Sequence, residues 1–337
     1  MKKNSTDFAE LVTSFLTDYL PFQRNFSRNT ILSYRDALKL FLRFVTEEKS
    51  ISLKKFRMKD FTRELVIEFL EWYRNIGASS SAANQRLAAL KTFAEYAQLE
   101  CIEFISPLMS IGSIKSKKTS VREISYLSSE QMALLINRPD VNTVTGFRHR
   151  VILTLLYDTG CRVQELCDMS LGDIFISANS TVRLHGKGSK FRTVVISDET
   201  AKLISSYISR YKENSTASDY LITNRNGQKI SRDGIGYIIT KYVNEIRLED
   251  DTFPEKVHCH MFRHSKAMHM LAADINIIYI RDFLGHADIS TTMIYAKADN
   301  RIRNEVIGKL SVKIADASNL PDWNKDKDLM EFLSSLE

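Results

Sequence analysis

The sequence lacks any segment of about 18 consecutive apolar residues, roughly the length that a membrane-spanning helix needs. It also lacks a signal-peptide pattern, because the Met1-Lys2-Lys3-Asn4 start leads into a polar stretch and an amphipathic helix. Cysteine is scarce, and the four cysteines include no CxxC pair, so a disulfide framework is not indicated. These absences predict a cytoplasmic, nucleoid-associated protein with reduced thiols and no membrane partner.

The chain has 337 residues, more than one ordinary hydrophobic core organises, so two domains are expected. Its hydrophobic fraction of 44% and charged fraction of 26% are typical of a globular protein. The net charge of +6 suggests a polyanionic partner without identifying it. The excess of Lys and Arg over Asp and Glu is +7 in residues 1–122, +2 in 123–310 and −3 in 311–337. The positive charge is therefore concentrated in the first third of the chain.

Residues 1–105 carry apolar side chains at helical spacing and are predicted to form an all-α domain. The expected N-cap of the second helix is Asn29, and that of the fourth lies in the run Ser79-Ser80-Ser81. The four predicted helices span residues 8–20, 30–47, 61–74 and 82–98. By periodicity alone, this domain is a generic helical bundle.

The helical periodicity stops in residues 106–122, which include Pro107, Gly112 and several serines. Basic residues occur here without any acidic one, at Lys115, Lys117, Lys118 and Arg122. This composition predicts a basic linker that runs extended along a phosphate backbone, with a solvated disordered linker as the alternative. Either interpretation places a domain boundary in this segment.

Residues 123–310 combine helices with one pair of strands and are predicted to form an α+β domain. A capping box, Ser128-Ser129-Glu130-Gln131, opens its first helix, and residues 147–157 are apolar enough for a buried helix. Apolar residues alternate on both sides of a turn at 186–189, which predicts a hairpin over 181–196. Further helices are expected at 198–211, 232–246, 261–272, 277–284 and 300–310. The predicted fold is mainly α with a small β-hairpin sheet.

Four short segments of this second domain carry groups suited to phosphate chemistry. They are residues 159–166 (TGCRVQEL), Gly186-Lys187-Gly188, residues 260–264 (HMFRH) and Leu284-Gly285-His286, and Tyr295 follows nine residues after the last. Arginine stays protonated and offers a planar fork of donors that matches phosphate oxygens. A phenol is a weak nucleophile at neutral pH unless a base and cations activate it. Two arginines, a lysine and two histidines around a phenol are sufficient to break a phosphodiester without a metal.

The order and spacing of these segments resemble the tyrosine recombinase (phage integrase) family. The segment 84–93 (NQRLAALKTF) is similar to that family's helical core-binding domain, which binds DNA. The resemblance implies that Tyr295 attacks a DNA phosphate and that Arg162 and Arg263 hold the phosphate oxygens. It further implies that His260 accepts a proton or holds the phosphate, that His286 donates to the phosphate, and that Lys187 protonates the leaving 5′-oxygen.

The family also implies double-stranded DNA with paired inverted half-sites as substrate, dimers and tetramers on DNA, a 3′-phosphotyrosine intermediate and a Holliday junction. No cofactor is required, and accessory recombination proteins are further candidate partners. The residues expected to contact DNA are Arg86, Lys91, Lys115, Lys117, Lys118, Arg122 and Lys190. Lys190 is also the fallback for the catalytic lysine.

Several alternatives remain open from the sequence. A lone arginine is commonly in a surface ion pair, and Gly-Lys-Gly is also an ordinary hairpin turn. A metal site at His258, Cys259, His260 and His264 is disfavoured because the segment lacks the HExxH pattern and a clear third ligand. A mobile-element integrase or transposase is preferred to an Xer-type resolvase, a type IB topoisomerase-like nicking-closing enzyme, or a catalytically silent DNA-binding protein.

The C-terminal segment 311–337 has apolar residues at 329, 330, 332, 333 and 336, spaced as in a short amphipathic helix. An acidic segment of this length is too small to fold alone, so its apolar face is expected to pack on protein. By resemblance, that protein is a neighbouring subunit. A disordered end is the alternative.

Overall fold

The computed structural model describes residues 6–119, 124–186, 190–286 and 288–298, together with residues 331, 334 and 335. The chain divides into two compact units, Met1–Arg122 and Glu123–Glu337. Within the described ranges, no helix is both long enough and apolar enough to span a membrane. The predicted helix at 300–310 lies outside them, as does nearly all of the C-terminal segment.

The N-terminal unit is all-α. Its helices are α1 (Asp7–Ser14), which continues into a π-helical segment (Phe15–Gln23), α2 (Arg28–Glu47), α3 (Arg63–Asn75), α4 (Ser80–Glu100) and α5 (Ile105–Gly112). The predicted cap in the run Ser79-Ser80-Ser81 is confirmed at Ser79, because its hydroxyl accepts from the Ala82 N–H. The predicted cap at Asn29 is wrong. Ser27 accepts from the Thr30 N–H instead, so that α2 begins two residues before Thr30 and Asn29 lies inside the helix.

Aromatic rings form the centre of this unit. Phe93 on α4 is fully buried, and Phe8, Phe15 and Phe61 surround it with ring centroids 5.3–5.5 Å away. Two of these three contacts are edge-to-face, an arrangement that the quadrupoles of aromatic rings favour. The α1, α3 and α4 regions are therefore joined through one ring.

The linker begins later than the sequence predicted, so the proposed start at residue 106 is wrong. Residues 105–112 form helix α5, because Leu108 and Ile111 are three apart on one face and both are buried in the core of the unit. Pro107 is tolerated in the first turn, where an N–H has no intrahelical partner. The exposed residues 115–119 follow, and Lys117 exchanges two hydrogen bonds with Asn84 through its backbone.

The second unit is α+β. Its helices are α6 (Ser129–Asn137), α7 (Val144–Asp158), α8 (Val163–Asp168), α9 (Asp198–Tyr211), α10 (Arg232–Arg247), α11 (Cys259–Ala272), α12 (Ile277–Leu284) and α13 (Ser290–Ala298). The predicted hairpin is confirmed as β2 (Thr181–His185) and β3 (Phe191–Val195), and a two-residue strand β1 (Ile174–Phe175) pairs antiparallel with β2. The predicted fold class, mainly α with a small sheet, is correct.

Burial explains why these elements form. Val182, Leu184 and Val194 point into the core from the strands, while the intervening residues are more exposed, which is the period of two that a one-sided sheet requires. Helix α7 contributes Val151, Ile152 and other fully buried residues, as its apolar sequence predicted. The sheet and α7 thereby hold the loops that carry the sequence motifs of the second unit.

Replacing Phe93 by Ala should lower the free energy of unfolding by about 3–5 kcal/mol, because a buried ring is lost and a cavity remains. The exposed Phe22, with 79% of its surface accessible, supplies the matched control, and Phe22→Ala should change stability by no more than about 0.5 kcal/mol. Denaturant titration of both variants measures the difference. Equal losses would mean that the Phe93 cluster is not the stabilising centre of the unit.

Candidate active site

The loop after α7 brings the first motif to the end of α12. Gly160 has a positive φ of 56°, and a Cβ there would lie 3.1 Å from side-chain atoms of both Phe283 and Leu284. Glycine therefore satisfies both the left-handed backbone and the close approach. Arg162 follows two residues after Gly160 and occupies the N-cap position of α8.

A single carboxylate, that of Glu165, organises the arginines of this region. Its Oε1 accepts from Nη1 of Arg162 at 2.9 Å, and its Oε2 accepts from the backbone N–H of the same residue at 2.8 Å. Arg192 on β3 donates to both oxygens at 2.9 and 2.8 Å. Burial opposes ionisation of Glu165, but the hydrogen bonds and charges of Arg192 and Arg162 outweigh it and lower the pKa of the carboxyl.

Arg192 extends this network to α12. Its Nε donates to the carbonyl of Phe283 at 3.1 Å, and its side chain is only 13% exposed. Gly285 ends α12 with φ 64°, and a Cβ at Gly285 would lie 2.8 Å from Cδ of Arg192. The arginine therefore packs against the Leu284-Gly285-His286 motif at a place where only glycine fits.

Arg263 is held by backbone carbonyls. The side chain, on α11, is buried at 4% exposure, and it donates to the carbonyl of Gly160 at 2.8 Å and to that of Leu284 at 2.6 Å. Burial, followed by the positive charges of Arg162 and Arg192, lowers the pKa of Arg263 to about 10. The guanidinium therefore stays protonated at neutral pH, and the hydrogen-bond acceptors that hold it are carbonyl oxygens.

Tyr295 lies on α13 against α11. Its side chain is 1% exposed, and its hydroxyl is 2.9 Å from Nδ1 of His264. Burial raises the pKa of the phenol, and the charges of Arg263 and Arg162 act in the opposite direction. The same charges that surround the phenol are suited to stabilise its ionised form.

The two predicted catalytic histidines differ in their surroundings. His286 is half-buried and its Nδ1 is 2.8 Å from the hydroxyl of Thr292, and burial with the charges of three arginines lowers its pKa to about 4. His260 is exposed, and its ring centroid is 6.5 Å from that of His264. Burial of its ring and the charges of His258 and Arg263 lower the pKa of His260. Both imidazoles are therefore largely neutral near pH 7.

The predicted catalytic lysine and the predicted DNA-contacting residues are described only in part. Lys187 and Arg122 fall outside the described residues. Lys190 is exposed, and its carbonyl accepts from the Gly186 N–H at 2.7 Å. In the N-terminal unit, Arg86 and Lys91 are half-buried on α4, and the exposed lysines after α5 are Lys115, Lys117 and Lys118.

The segment His258-Cys259-His260 and His264 does not form a metal cluster in the structure. Over the part of the chain that is described, no group of three or more His, Cys, Asp or Glu side chains is arranged to hold a metal ion. Burial raises the pKa of Cys259, so that its thiol stays protonated and is a poor ligand at neutral pH.

Sequence reasoning missed three residues of the site, namely Glu165, Arg192 and His264. Glu165 and His264 lie inside the quoted motifs, but Arg192, which pairs with Glu165, and Tyr295, which pairs with His264, are 27 and 31 residues further along the chain. A helix-spacing argument could have placed His264 beside His260 on α11, since they are four residues apart. No local signal marks Arg192, because its role arises from the register of β3.

Replacing Glu165 by Gln should destabilise the protein by about 3 kcal/mol, because two arginines then lose the carboxylate that pairs with them in a largely buried place. The folded-state pKa of Glu165 is lowered, so its stabilising contribution is present above the ordinary value of 4.5 and is lost as the pH falls through the folded value. Unfolding titrations at neutral and acidic pH measure this. The difference between wild type and variant should shrink at acidic pH.

The exposed pair Arg43–Glu47 on α2 supplies the control for this prediction. Glu47→Gln should cost no more than about 1 kcal/mol, because solvent screens the pair. If Glu165→Gln costs no more than Glu47→Gln, the Glu165 carboxylate does not hold the site together.

Comparison with known proteins matches both units. The phage integrase family matches residues 125–301, and the phage integrase N-terminal SAM-like domain matches residues 13–100. The tyrosine recombinase XerC of Staphylococcus haemolyticus is 31% identical over 293 residues, which cover 87% of this chain and 93% of that protein. XerD of Halalkalibacterium halodurans is 30% identical, over 85% of this chain and 93% of that protein.

Solved structures share the fold. XerH bound to its difH substrate has a TM-score of 0.66 at 20% identity, covering 87% of this chain and 82% of that chain. The Tn1549 transposon integrase with circular intermediate DNA has a TM-score of 0.67 at 16% identity, covering 89% and 99%. With the family match over more than half of the sequence, the chain belongs to the phage integrase family of tyrosine recombinases, enzymes that break and rejoin DNA at specific sites.

Proposed function

We propose that Tyr295 is the nucleophile of this recombinase and that cleavage leaves the protein joined to DNA through a 3′-phosphotyrosine. The observation that carries the proposal is the placement of the phenol, which is buried beside His264 and within the field of Arg263 and Arg162. A phenol needs a base and nearby cations to react at neutral pH. Because the phosphotyrosine conserves the energy of the phosphodiester, rejoining requires no ATP.

The two arginines are suited to the charge of the transition state. A phosphodiester attacked by an oxygen passes through a pentacoordinate phosphorus with extra negative charge on its non-bridging oxygens. Arg263 is fixed by two backbone carbonyls and Arg162 by Glu165, so both are preorganised rather than recruited from solvent. Preorganised donors stabilise developing charge without the cost of reorienting water.

The remaining roles follow the family resemblance. His286 donates to the phosphate and His260 contacts it from the exposed end of α11. Lys187 protonates the leaving 5′-oxygen, with Lys190 as the alternative. No metal or other cofactor takes part in this scheme, since the phenol and the cations supply both the nucleophile and the charge.

Double-stranded DNA with paired inverted half-sites is the proposed substrate, bound by a dimer and exchanged in a tetramer through a Holliday junction. Among the solved structures with the same fold, one is a lambda integrase dimer bound to a COC′ core site. The basic residues Arg86, Lys91, Lys115, Lys117, Lys118 and Arg122 are proposed to contact the DNA backbone. The C-terminal segment 311–337 is proposed to pack on a neighbouring subunit.

The biological role stays a prediction. An integrase or transposase of a mobile element remains our preference, and an Xer-type resolvase is the alternative that the names of the relatives suggest. A topoisomerase-like enzyme would relax supercoiled plasmid without forming recombinants. The presence of Arg162, Arg263, His286 and Tyr295 in one chain argues against a catalytically silent protein.

Replacing Tyr295 by Phe should abolish covalent attachment to DNA and leave DNA binding intact, because only the nucleophilic oxygen is removed. The substrate is a pool of nicked duplexes with randomised sequence, in which cleavage releases a short fragment and blocks rejoining. Denaturant-stable complexes are recovered from the wild type and their DNA is sequenced. A persistent adduct in the variant would mean that another residue attacks.

Arg162→Lys and Arg263→Lys should each lower the cleavage rate by about a hundredfold, the usual effect of losing one transition-state donor. A lysine keeps the charge but not the planar fork. If either lysine variant cleaves at the wild-type rate, that arginine does not contact the phosphate.

Cleavage by the wild type should proceed at an unchanged rate in the presence of excess chelator. Inhibition by the chelator would restore the metal alternative.

A further inference from the structure

Three histidine–tyrosine pairs of the second unit share one geometry. In each pair Nδ1 of the imidazole lies 2.8–2.9 Å from the phenolic oxygen. The pairs are His149 with Tyr242, His269 with Tyr157, and His264 with Tyr295. Because the three pairs are similar, two of them can serve as controls for the structural effect of losing such a pair. An additional chemical role of the third pair can then be recognised.

Two of the pairs are structural. His149 on α7 and Tyr242 on α10 are both buried and join these helices within the core. The second ring nitrogen of His269 faces the carbonyl of Leu127 at 3.0 Å, so Nε2 carries the proton and Nδ1 accepts from Tyr157. Neither of these pairs includes a residue of the proposed site.

The third pair differs in what surrounds it. The phenol of Tyr295 lies within the fields of Arg263 and Arg162, which stabilise a phenolate, and it is 1% exposed. Bulk water has almost no access to this phenol in the observed conformation. The phenolic proton therefore needs a protein group as its acceptor.

His264 lies next to the phenol and has the protonation state that a proton acceptor needs. Burial, followed by the charges of His260, His258 and Arg263 on or beside α11, lowers the pKa of His264 to about 4, so the ring is neutral near pH 7. A neutral imidazole has one nitrogen free to accept a proton. His260, the acceptor expected from the sequence, is exposed, and the imidazole that lies within hydrogen-bond distance of the Tyr295 hydroxyl is that of His264.

We propose that His264 accepts the phenolic proton of Tyr295 as the phenol attacks the DNA phosphate, a role that rests on Tyr295 being the nucleophile. The Oη–H bond breaks and the proton moves to Nδ1, while the Oη–P bond forms. The P–O5′ bond then breaks, and its electron pair leaves with the 5′-oxygen, which takes a proton from the general acid proposed to be Lys187. In rejoining, the 5′-hydroxyl gives its proton back to the group that protonated it and attacks the phosphorus. The P–Oη bond breaks, and Nδ1 returns the proton to Oη.

The bound phosphate itself strengthens this base. The nearby Arg263 lowers the basicity of His264, and it is also one of the two arginines proposed to bind the phosphate. A phosphate anion offsets that positive charge, so His264 gains basicity when substrate is present. Proton transfer is thereby linked to DNA binding, and the free protein keeps its phenol protonated.

The first test compares His264→Gln with His149→Gln. Glutamine keeps a hydrogen-bonding side chain, and the two pairs have similar geometry, so both variants should lose similar stability. Glutamine does not accept a proton, so the two variants should differ in cleavage. Single-turnover cleavage of nicked duplexes recovered with the wild type should fall by about a hundredfold in His264→Gln and stay at the wild-type rate in His149→Gln. Equal cleavage rates in the two variants would overturn the proposal. His269→Gln replaces His149→Gln as control if the latter does not fold.

The second test separates proton acceptance from positioning. A difluorotyrosine at position 295 has a more acidic phenol and depends less on a base. The loss of cleavage rate caused by His264→Gln should therefore be smaller with difluorotyrosine at position 295 than with tyrosine. An unchanged defect would assign His264 a positioning role only. A 5′-bridging phosphorothiolate leaves without a general acid and should not restore cleavage by His264→Gln. Restoration would place His264 on the leaving-group side and overturn the proposal.

These outcomes are distinct from failure of the proposed function. If the wild type forms no covalent adduct with any duplex of the pool, the nucleophile assignment fails, and the role of His264 fails with it. If the wild type forms adducts through Tyr295 and His264→Gln forms them equally fast, the nucleophile assignment stands and only the proton-acceptor role is lost.

Discussion

The carboxylate of Glu165 is the contact on which the rest of the site depends. It joins Arg162 at the start of α8 to Arg192 on β3, and Arg192 in turn binds the end of α12 through the carbonyl of Phe283. One buried anion thus connects three elements that carry separate motifs. If an arginine moved away, the Glu165 carboxylate would be left buried with one fewer partner. The free-energy cost of that unpaired charge keeps each arginine in place.

The positive charge of the site exceeds what Glu165 balances. Arg263 is buried against two carbonyl oxygens, which are dipoles and carry no net charge. Burial and nearby cations keep His264 and His286 at pKa values of about 4, so these histidines add no further charge at neutral pH. Among the described residues of the site, the unbalanced charge therefore belongs to arginines, and an anion entering the site gains from it without competing with protonated histidines.

Local sequence patterns predicted the helices and the hairpin because periodicity, caps and turn residues act within a few residues of each other. They failed at Asn29 because Ser27, two residues earlier, is a competing cap. They failed at residue 106 because Leu108 and Ile111 pack into a core that the local pattern does not reveal. The site divides in the same way. The motifs located Arg162, Arg263 and Tyr295, whereas the choice of His264 over His260 as the neighbour of Tyr295 depends on where α13 packs.

The charge distribution along the chain assigns two functions to different parts of the chain, namely long-range attraction to DNA and chemistry at a single phosphate. Long-range attraction to a polyanion needs exposed charge, and residues 1–122 hold a surplus of +7. Chemistry at one phosphate needs charge that is buried and fixed, and residues 123–310 have a surplus of only +2. In that region Glu165 and Asp158 pair with Arg192 and Lys266, so much of the positive charge is offset close to its source. Arg263 is buried and donates to backbone carbonyls, so it acts at short range, where its position rather than the net charge of the unit determines what it binds.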